Sequence, residues 1–320
     1  MDELFGETRL LDDPEEAGRL LAEGRLVAFP TETVYGLGGA IHFAGTIERI
    51  FSAKGRPADN PLIVHLVQTS VLAQVVLEIP RMASELMEAF WPGPLTVVFR
   101  KQAWISSGVT AGLDSVAVRS PANPVARQIL QACGCPVAAP SANRSGRPSA
   151  TTWQSVYEDL NGRIDAIFQG EACQVGLEST VVDCTGAQPE LLRLGAITLE
   201  QLCLVRPDTI RLQREHSTVN SPGLRYKHYQ PQARVLLIED VRQLEGTKSE
   251  ALLSLTEHEF GHRFGLYHRL PDLGKYAAEL YEFFRQADRL RIKTIFCESV
   301  PRSGLGEAIM DRLSRAAENN

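Results

Sequence analysis

Hydrophobic residues follow helical and strand-like patterns in turn along the first 205 residues. Apolar positions recur at helical spacing in "AGTIERIFSAK" (44–54) and in "NPVARQILQACG" (123–134), where Asn and Pro mark a helix start. Short apolar runs typical of buried strands occur in "PLIVHLV" (61–67), "PLTVVFRK" (94–101) and "SVAVRS" (115–120). Interleaved helices and strands predict an α/β class, with a twisted mixed sheet and flanking helices.

The pattern changes near residue 205. Residues 206–233 are polar, contain prolines and show no clear periodicity, which predicts a linker. Strand-like order returns at "RVLLIED" (234–240) and is followed by helix, strand and helix patterns. We therefore predict a first domain over residues 1–205 and a smaller α/β, Rossmann-like domain over 234–320.

Composition limits the functions that the chain could have. It has 320 residues and a formal net charge of −6, which argues against a protein that covers nucleic acid by bulk charge. The acidic N-terminus lacks a signal-peptide pattern, and no apolar run is long enough to span a membrane. Six scattered cysteines fit neither a zinc site nor a disulfide framework, so we expect reduced thiols and a cytoplasmic protein.

Polar loops at the predicted strand ends carry the residues that could bind a ligand, because open α/β sheets bind ligands there. The cations on these loops are Lys54, Arg56, Arg119, Arg144, Arg147 and Arg193. If most of them converge, they form a positive cavity suited to a triphosphate or a small carboxylate. Arg119 follows three small apolar residues, and a half-buried arginine requires an anion. "GLGG" (36–39) matches neither glycine-rich nucleotide motif, so side chains and strand-end amides would have to hold a nucleotide.

Several of these residues also have simpler explanations. Lys54 and Arg56 follow a helix and could face water while favouring its negative C-terminal end. On such a loop, the replacement of either cation would barely change the stability of the fold. Ser141 and Asn143 could cap the chain where it leaves a strand, and His65 could be a hydrogen-bonded core residue.

Nine motifs in fixed order and spacing extend over nearly the whole chain and resemble a known family. Seven are similar to the YrdC-like family: "FPTETVYGLG", "AKGRPADNPLIVH", "WPGPLTVV", "VAVRSP", "APSANRSGRPS", "ESTVVD" and "LLRLGAI". Two more, "SPGLRYKHYQP" and "GLGEAIMDRLSRAA", resemble the two-domain form of that family. The resemblance implies the YrdC-like fold for residues 1–205.

The resemblance also implies an activity. Enzymes of the two-domain form combine L-threonine, bicarbonate and ATP into threonylcarbamoyl-adenylate and release pyrophosphate, with Mg²⁺ accompanying ATP and no tightly bound organic cofactor. The product passes to a downstream threonylcarbamoyl transferase that modifies a tRNA adenosine. Direct contact with tRNA is a further expectation, and no membrane partner is expected.

Site residues follow from the matched motifs. The resemblance places a catalytic, anion-binding tetrad at Lys54, Arg56, Ser141 and Asn143. The residues implied around L-threonine are Thr33, His65, Arg119, Ser179 and the backbone of Ala139. Those implied around ATP are Arg56, Asn60, Ser115, Ser141, Ser149, Arg193 and Tyr226. No protein residue is assigned to a metal.

The linker carries aromatic and cationic residues that a simple tether would not need. Tyr226 lies between Arg225 and Lys227, after a Pro-Gly turn signal. These groups suit a lid over a bound nucleotide that excludes water from a reactive adenylate. Interface aromatics that only join the two domains would explain the same residues.

Two other functions remain open on the residues alone. "HEFGHRFGLYH" (258–268) fits the metzincin signature, in which three histidines hold zinc and Glu259 acts as general base. Its surroundings argue against this, because "ALLSL" (251–255) and "YHRLP" (267–271) read as strands that would separate the histidines. An RNA-binding module would also use a basic concave surface, but these loops lack the aromatics for base stacking.

Metal content separates the metalloprotease hypothesis from the synthase hypothesis. We expect protein purified without added zinc to contain far less than one zinc per chain by elemental analysis. We also expect Glu259→Gln to leave adenylate synthesis intact. Stoichiometric zinc would support the metalloprotease hypothesis instead.

Overall fold

A computed structural model describes residues 7–57, 59–211 and 229–317. The predicted linker therefore lies largely outside the described residues, and Tyr226 with it. The predictions about Tyr226 and the lid stay predictions.

The strands and helices alternate along the described chain. The strands are β1 Arg9–Leu11, β2 Val27–Phe29, β3 Gly36–Ala40, β4 Ile63–His65, β5 Leu95–Arg100, β6 Ser115–Arg119, β7 Val137–Ala138, β8 Ala166–Phe168, β9 Thr180–Asp183, β10 Glu190–Arg193, β11 Ile210–Arg211, β12 Arg234–Ile238, β13 Glu250–Ser254, β14 Leu266–Arg269 and β15 Thr294–Glu298. The helices are α1 Pro14–Ala22, α2 Thr46–Lys54, α3 Thr69–Val75, α4 Arg81–Phe90, α5 Ser107–Thr110, α6 Pro124–Cys133, α7 Trp153–Leu160, α8 Leu199–Val205, α9 Leu273–Arg289 and α10 Leu305–Ala317.

The sequence signals at helix starts are confirmed where side chains cap the backbone. Asn123 accepts a hydrogen bond from the backbone N–H of Ala126, and Pro124 occupies the first turn of α6. Asp13 caps α1 in the same way through the backbone N–H of Glu15. Pro80 stands at the N-cap of α4 and separates this helix from α3.

The eleven strands described before residue 212 form one mixed sheet in the order β1-β8-β2-β3-β7-β4-β6-β5-β9-β10-β11. β4 and β6 are parallel, whereas β5 and β6 are antiparallel, so the predicted mixed sheet is confirmed. β11 falls within the predicted linker but pairs with β10 in this sheet. β10 ends at Arg193, which the sequence suggested to lie on a loop at a strand end.

Helices cover the two faces of the large sheet unevenly. On one face, α2, α3, α4, α7 and α8 pack over a large core cluster. On the other face, α1 and α6 pack on Val27, Phe29 and Val137, at one end of the sheet. That second face continues with His65 and Arg119, which are paired in register on β4 and β6. The candidate site lies on this continuation.

The second domain is a four-stranded parallel sheet in the order β12-β15-β13-β14, with α9 and α10. This confirms a smaller α/β unit with a parallel sheet. Its core includes Leu280, Phe284 and Ile309, and Val34 and Leu177 of the first domain belong to the same buried cluster. The two domains therefore share an apolar interface. None of the described helices is long and apolar enough to cross a bilayer.

Gly18 sets the close contact between α1 and α6. A Cβ at this position would lie 2.4 Å from the Ala132 Cβ and 2.6 Å from the Ile129 carbonyl oxygen. We expect Gly18→Ala to destabilise the protein by about 1–3 kcal/mol, because overpacking outweighs the better helix propensity of alanine. Denaturant unfolding measures this. Gly186→Ala is the control, since its nearest neighbour would be 4.0 Å away, and equal stability of the two variants would contradict the packing argument.

Candidate active site

A cavity opens at the ends of β3, β4, β6 and β7, and Tyr229, which lies just before the second domain, lines part of it. It encloses about 670 Å³ including its open mouth. Most of the residues that the sequence assigned to the site line it: Thr33, Arg56, His65, Arg119, Ala139, Ser141, Asn143, Ser149, Ser179 and Arg193. Residues that the sequence did not assign also line it, among them Thr31, Arg147, Glu178 and Tyr229.

Lys54 is the last residue of α2 and is buried, with 2% of its surface exposed. Its ammonium donates hydrogen bonds to the carbonyl oxygens of Ser141 and, at 2.6 Å, of Asn143. The expectation that Lys54 lies on a loop is therefore wrong, because it is a buried residue of α2. Burial lowers the pKa of Lys54 well below its usual range, and the neighbouring Arg56 lowers it further.

Arg56 follows Gly55, whose left-handed backbone (φ 60°) turns the chain out of α2. Its guanidinium donates to the carbonyl oxygens of Asn60 at 3.2 Å and Pro61 at 3.1 Å. Burial lowers the pKa of Arg56 to about 10, with Tyr229 opposing and Arg193 adding to the shift, so the side chain stays charged at neutral pH. Its Nε is buried and has no hydrogen-bond partner among the described residues.

A chain of hydrogen bonds fixes the Thr33 hydroxyl. Arg119 donates to Thr33 Oγ1 at 2.8 Å, and Thr33 Oγ1 lies 2.9 Å from Thr31 Oγ1. Thr31 uses its own proton on the Val34 carbonyl oxygen at 2.6 Å, so Thr33 must donate to Thr31. The Thr33 oxygen therefore offers its remaining lone pair to the cavity.

Glu32 is the anion that the buried Arg119 requires. The Arg119 Nη2 donates to the Glu32 carboxylate at 2.6 Å, and the backbone N–H of Ala122 donates to the same carboxylate at 3.1 Å. Burial alone would raise the pKa of Glu32, but the Arg119 guanidinium holds it below its usual range. The anion that the sequence predicted for Arg119 is therefore Glu32 of the protein itself. This pairing holds Arg119 rigidly beside the cavity.

His65 is a neutral hydrogen-bond acceptor at the cavity wall. Its Nδ1 lies 3.2 Å from the Ile63 carbonyl oxygen, and because a carbonyl only accepts, Nδ1 carries the proton. Burial lowers the pKa of His65 to about 3, and the positive charge of Arg119 contributes. The remaining nitrogen, Nε2, can accept a hydrogen bond from a ligand.

Ser179 is held from two sides at the start of β9. Its hydroxyl lies 2.7 Å from Thr96 Oγ1, and Arg193 Nη2 donates to it at 3.0 Å. Arg193 also donates to the Ser179 carbonyl oxygen at 2.8 Å. Arg193 therefore fixes the predicted threonine-side serine as well as lining the cavity itself.

Ser149 and Asn143 occupy the loop that Lys54 holds. The Ser149 hydroxyl donates to Glu178 Oε1 at 2.6 Å. Asn143 Nδ2 donates to the carbonyl oxygens of Arg144 and Arg147, both at 2.9 Å. The Asn143 Oδ1 is buried without a hydrogen-bond partner among the described residues. Like Arg56 Nε, it is a polar group that a bound ligand could satisfy.

Two predicted ATP-binding residues, Asn60 and Ser115, do not line this cavity. Asn60 is buried behind it, and its carbonyl accepts from Arg56. Ser115 begins β6, at the opposite end from Arg119, so the two residues share a face of the sheet about 13 Å apart. Between them lies a small apolar cluster that includes Ile63 and Ala117.

The histidines of the metzincin-like segment do not converge. His258 Nε2 donates to the Leu244 carbonyl oxygen (3.0 Å), whereas His268 lies on β14 and contacts Glu279 at 3.1 Å. His262 sits in a separate 3₁₀ turn. Within the described ranges, no group of three His, Cys, Asp or Glu side chains could hold a metal ion.

The arrangement defines an α/β protein with a buried, cation-lined cavity for a small anionic ligand. Each lining cation is held by its own partner, so the site is organised before any ligand enters. Comparison with known proteins shows the family to which the chain belongs.

A family model described as "Telomere recombination" (Sua5, YciO and YrdC) matches residues 19–195, and one described as "Threonylcarbamoyl-AMP synthase, C-terminal domain" matches residues 197–318. The chain belongs to this family, in its two-domain form. It is 40% identical to the threonylcarbamoyl-AMP synthase of Pyrococcus abyssi, over 94% of this chain and 93% of that protein. The Bacillus subtilis threonylcarbamoyl-AMP synthase is also 40% identical, over 96% and 94% of the two chains.

A solved structure agrees with these relatives. The crystal structure of P. abyssi Sua5 complexed with L-threonine is 35% identical, with a TM-score of 0.88 over 97% of both chains. The predicted YrdC-like fold with a smaller second domain is thereby confirmed.

Titration of His65 predicts a pH dependence of stability. Its folded pKa of about 3 lies below the unfolded value, so the unfolded state binds the extra proton and stability falls as pH drops below about 6.5. Between pH 7 and 5 this costs about 2 kcal/mol, and we expect His65→Gln to remove that part of the slope.

Denaturant unfolding at the two pH values measures the effect. The exposed His42 is the control, because His42→Gln should keep the wild-type slope. A His65→Gln slope equal to that of wild type would contradict a buried, neutral His65.

Proposed function

We propose that this protein catalyses the formation of threonylcarbamoyl-AMP and pyrophosphate from L-threonine, bicarbonate and ATP. One observation carries the proposal: Lys54 and Arg56 join the Ser141–Asn143 loop to the wall that presents His65 and Arg119. The P. abyssi and B. subtilis relatives, which match nearly the whole chain, carry the name of this activity.

L-threonine would occupy the end of the cavity at β4, β6 and β9. The groups proposed to surround it are Thr33, His65, Arg119, Ser179 and the backbone of Ala139. Arg119 is fixed by Glu32, so it can attract the threonine carboxylate without having to be reoriented. His65 Nε2 would accept a hydrogen bond from the threonine hydroxyl or amine. A ring with a pKa of about 3 is a poor base, so we propose that His65 orients threonine rather than taking its proton.

The chemistry requires two anions to meet. The threonine amine adds to CO₂ with loss of a proton, or condenses with bicarbonate with loss of water, to give a carbamate. A carbamate oxygen then attacks the α-phosphorus of ATP and displaces pyrophosphate. Positive charge at the meeting point stabilises the transition state, and Arg56, with its buried Nε, is placed to supply it. Lys54 acts from behind the loop whose Ser141 and Asn143 line the cavity. We see no role for a covalent intermediate on the protein.

ATP would extend from this point across the same face of the sheet. Ser149, Arg193 and Ile63 line the cavity, and the buried apolar cluster of Ile63 and Ala117 continues from it towards Ser115. Tyr226 stays a predicted contact outside the described residues. Mg²⁺ would arrive bound to the phosphates, because the two buried carboxylates beside the site, Glu32 and Glu178, are engaged by arginines.

We also propose where the product goes after its release. The adenylate would pass to a threonylcarbamoyl transferase acting on tRNA, in the cytoplasm. Cavity arginines such as Arg119 and Arg147 are bound to carboxylates, which supports a small-molecule pocket over an extended RNA surface.

A threonine-dependent exchange between ATP and labelled pyrophosphate tests the proposed function. Exchange that also requires bicarbonate, with detection of the threonylcarbamoyl-adenylate by mass spectrometry, is the expected result. Exchange that ignores threonine, or RNA binding without any exchange, would overturn the assignment.

Arg56 provides the sharpest single substitution. We expect Arg56→Ala to lower kcat/KM for adenylate formation by an amount equal to about 2–4 kcal/mol of transition-state stabilisation. The exposed Arg81, which pairs only with side chains at the surface, is the control, and Arg81→Ala should keep wild-type rates. Wild-type synthesis by Arg56→Ala would remove the role assigned to this cation.

A further inference from the structure

Arg312 of α10 reaches out of the second domain into the first. Only 1% of its surface is exposed. Its Nε donates to Glu178 Oε2 at 3.0 Å, and its Nη2 donates to the Leu194 carbonyl oxygen at 2.8 Å. Glu178 in turn accepts from the Ser149 hydroxyl, and Leu194 follows Arg193 directly in the chain. Arg312 thus touches the supports of both residues, Ser149 and Arg193, that are proposed to bind ATP.

Arg285 of α9 makes a second connection of the same kind. It is 1% exposed and donates to Asp159 Oδ2 at 2.9 Å and to the Pro148 carbonyl oxygen at 2.5 Å. Asp159 also accepts from the backbone N–H of Arg144, at 3.1 Å, and from the Arg147 guanidinium. The loop over residues 141–149 is therefore tied to the second domain as well as to Lys54.

Two tyrosines lie between these arginines. Tyr281 of α9 donates to Glu178 Oε2 at 3.0 Å and stacks on Tyr229, with ring centroids 5.2 Å apart. Arg312 lies over the Tyr229 ring, 5.3 Å from its centroid. Tyr229 also lines the cavity, so the second domain supports part of the cavity wall.

Docking of the domains alone does not explain these arginines. The interface already contains apolar contacts in a cluster that joins Val34 and Leu177 to α9 and α10. Buried ion pairs add little net stability compared with apolar side chains of similar size. What distinguishes Arg312 and Arg285 is that each carboxylate partner also binds a cavity loop.

We propose that the second domain is a positioning part of the active site, in which Arg312, through Glu178 and the Leu194 carbonyl, holds Ser149 and Arg193 in place for ATP. Arg285 holds the other side of the same loop through Asp159 and Pro148. Neither arginine touches the reacting atoms. This inference rests on the proposed function, since it assumes that Ser149 and Arg193 face ATP.

The kinetics of Arg312→Met test the inference. Methionine keeps most of the apolar volume and removes the donors. We expect KM for ATP to rise about tenfold or more and KM for threonine to rise clearly less, because the ATP end loses the support of both Ser149 and Arg193, whereas at the threonine end only Ser179 depends on Arg193.

Arg289→Met is the matched control. Arg289 also lies on α9 and crosses the interface, donating to Glu158 Oε1 at 2.7 Å and to Glu282. Among the described residues, neither carboxylate accepts a hydrogen bond from a residue that lines the cavity. The KM of Arg289→Met for ATP should equal that of wild type. An equal rise in Arg289→Met would show that any interface substitution has this effect, which would overturn the inference.

A second variant removes the unpaired charge that Arg312→Met leaves behind. Glu178→Gln combined with Arg312→Met should recover the unfolding midpoint, because no buried carboxylate is then without a cation. We expect KM for ATP to stay high in this double variant, and Arg312→Lys, which can still pair with Glu178, to recover part of the affinity. Recovery of KM together with stability in the double variant would mean that Arg312 is merely structural.

Direct binding of ATP, measured by calorimetry, separates this inference from the proposed function. A wild type that neither binds ATP nor forms the adenylate would overturn both. A wild type that does both, with Arg312→Met binding ATP equally well, would overturn the positioning role alone. Weaker binding by Arg312→Met and unchanged binding by Arg289→Met would support it.

Discussion

The buried ammonium of Lys54 is the contact on which the candidate site depends. An unpaired charge in that position would be prohibitively costly, so the two backbone carbonyls of Ser141 and Asn143 must stay in place around it. This requirement joins the end of α2 to a loop 87 residues further along the chain. The loop presents side chains to the cavity from one side while its own backbone solvates the lysine from the other. The hydrogen bonds that stabilise the buried Lys54 are thus the same ones that hold this loop in place at the site.

Other cations of the site are also held by fixed partners. A chain with a net charge of −6 concentrates arginines in one cavity, and it does so by giving each a fixed partner: Glu32 for Arg119 and Asp159 for Arg147. Such arginines are less positive towards a ligand than free ones, but they need no reorganisation when charge develops. Arg56 differs, because its guanidinium donates to the carbonyl oxygens of Asn60 and Pro61 rather than to a carboxylate. It therefore keeps more of its charge for a ligand.

Local sequence patterns predicted many of the helices and strands, but they did not predict β3. Helices with caps and apolar stripes, such as α6, carry their own start signal, and β4 to β6 are continuous apolar runs. β3, "GLGGA", has almost no side chains to form a pattern, so only its pairing with β2 and β7 makes it a strand. The metzincin-like letters fit a motif, yet a strand and a turn separate the histidines. A motif of metal ligands predicts a metal site only when its residues lie on an element that brings them together.

Some residues of the site could be found from local sequence motifs, and others could not. Thr33, Arg119 and Ser179 stand in motifs, so a resemblance could place them. Arg312 could not be found in this way, because its partner Glu178 is 134 residues away and nothing in either local sequence announces the pairing. Long-range pairs of this kind arise from the packing of one domain on another. They also explain why a cavity built almost wholly from the first domain would need the second: the carboxylate that binds Ser149 remains charged because Arg312 neutralises it. Burial would otherwise favour the protonated acid, and the pKa of Glu178 is held below its usual range by Arg312 and Arg193 against that burial. The second domain therefore sets the charge, as well as the position, of a group in the wall of the cavity.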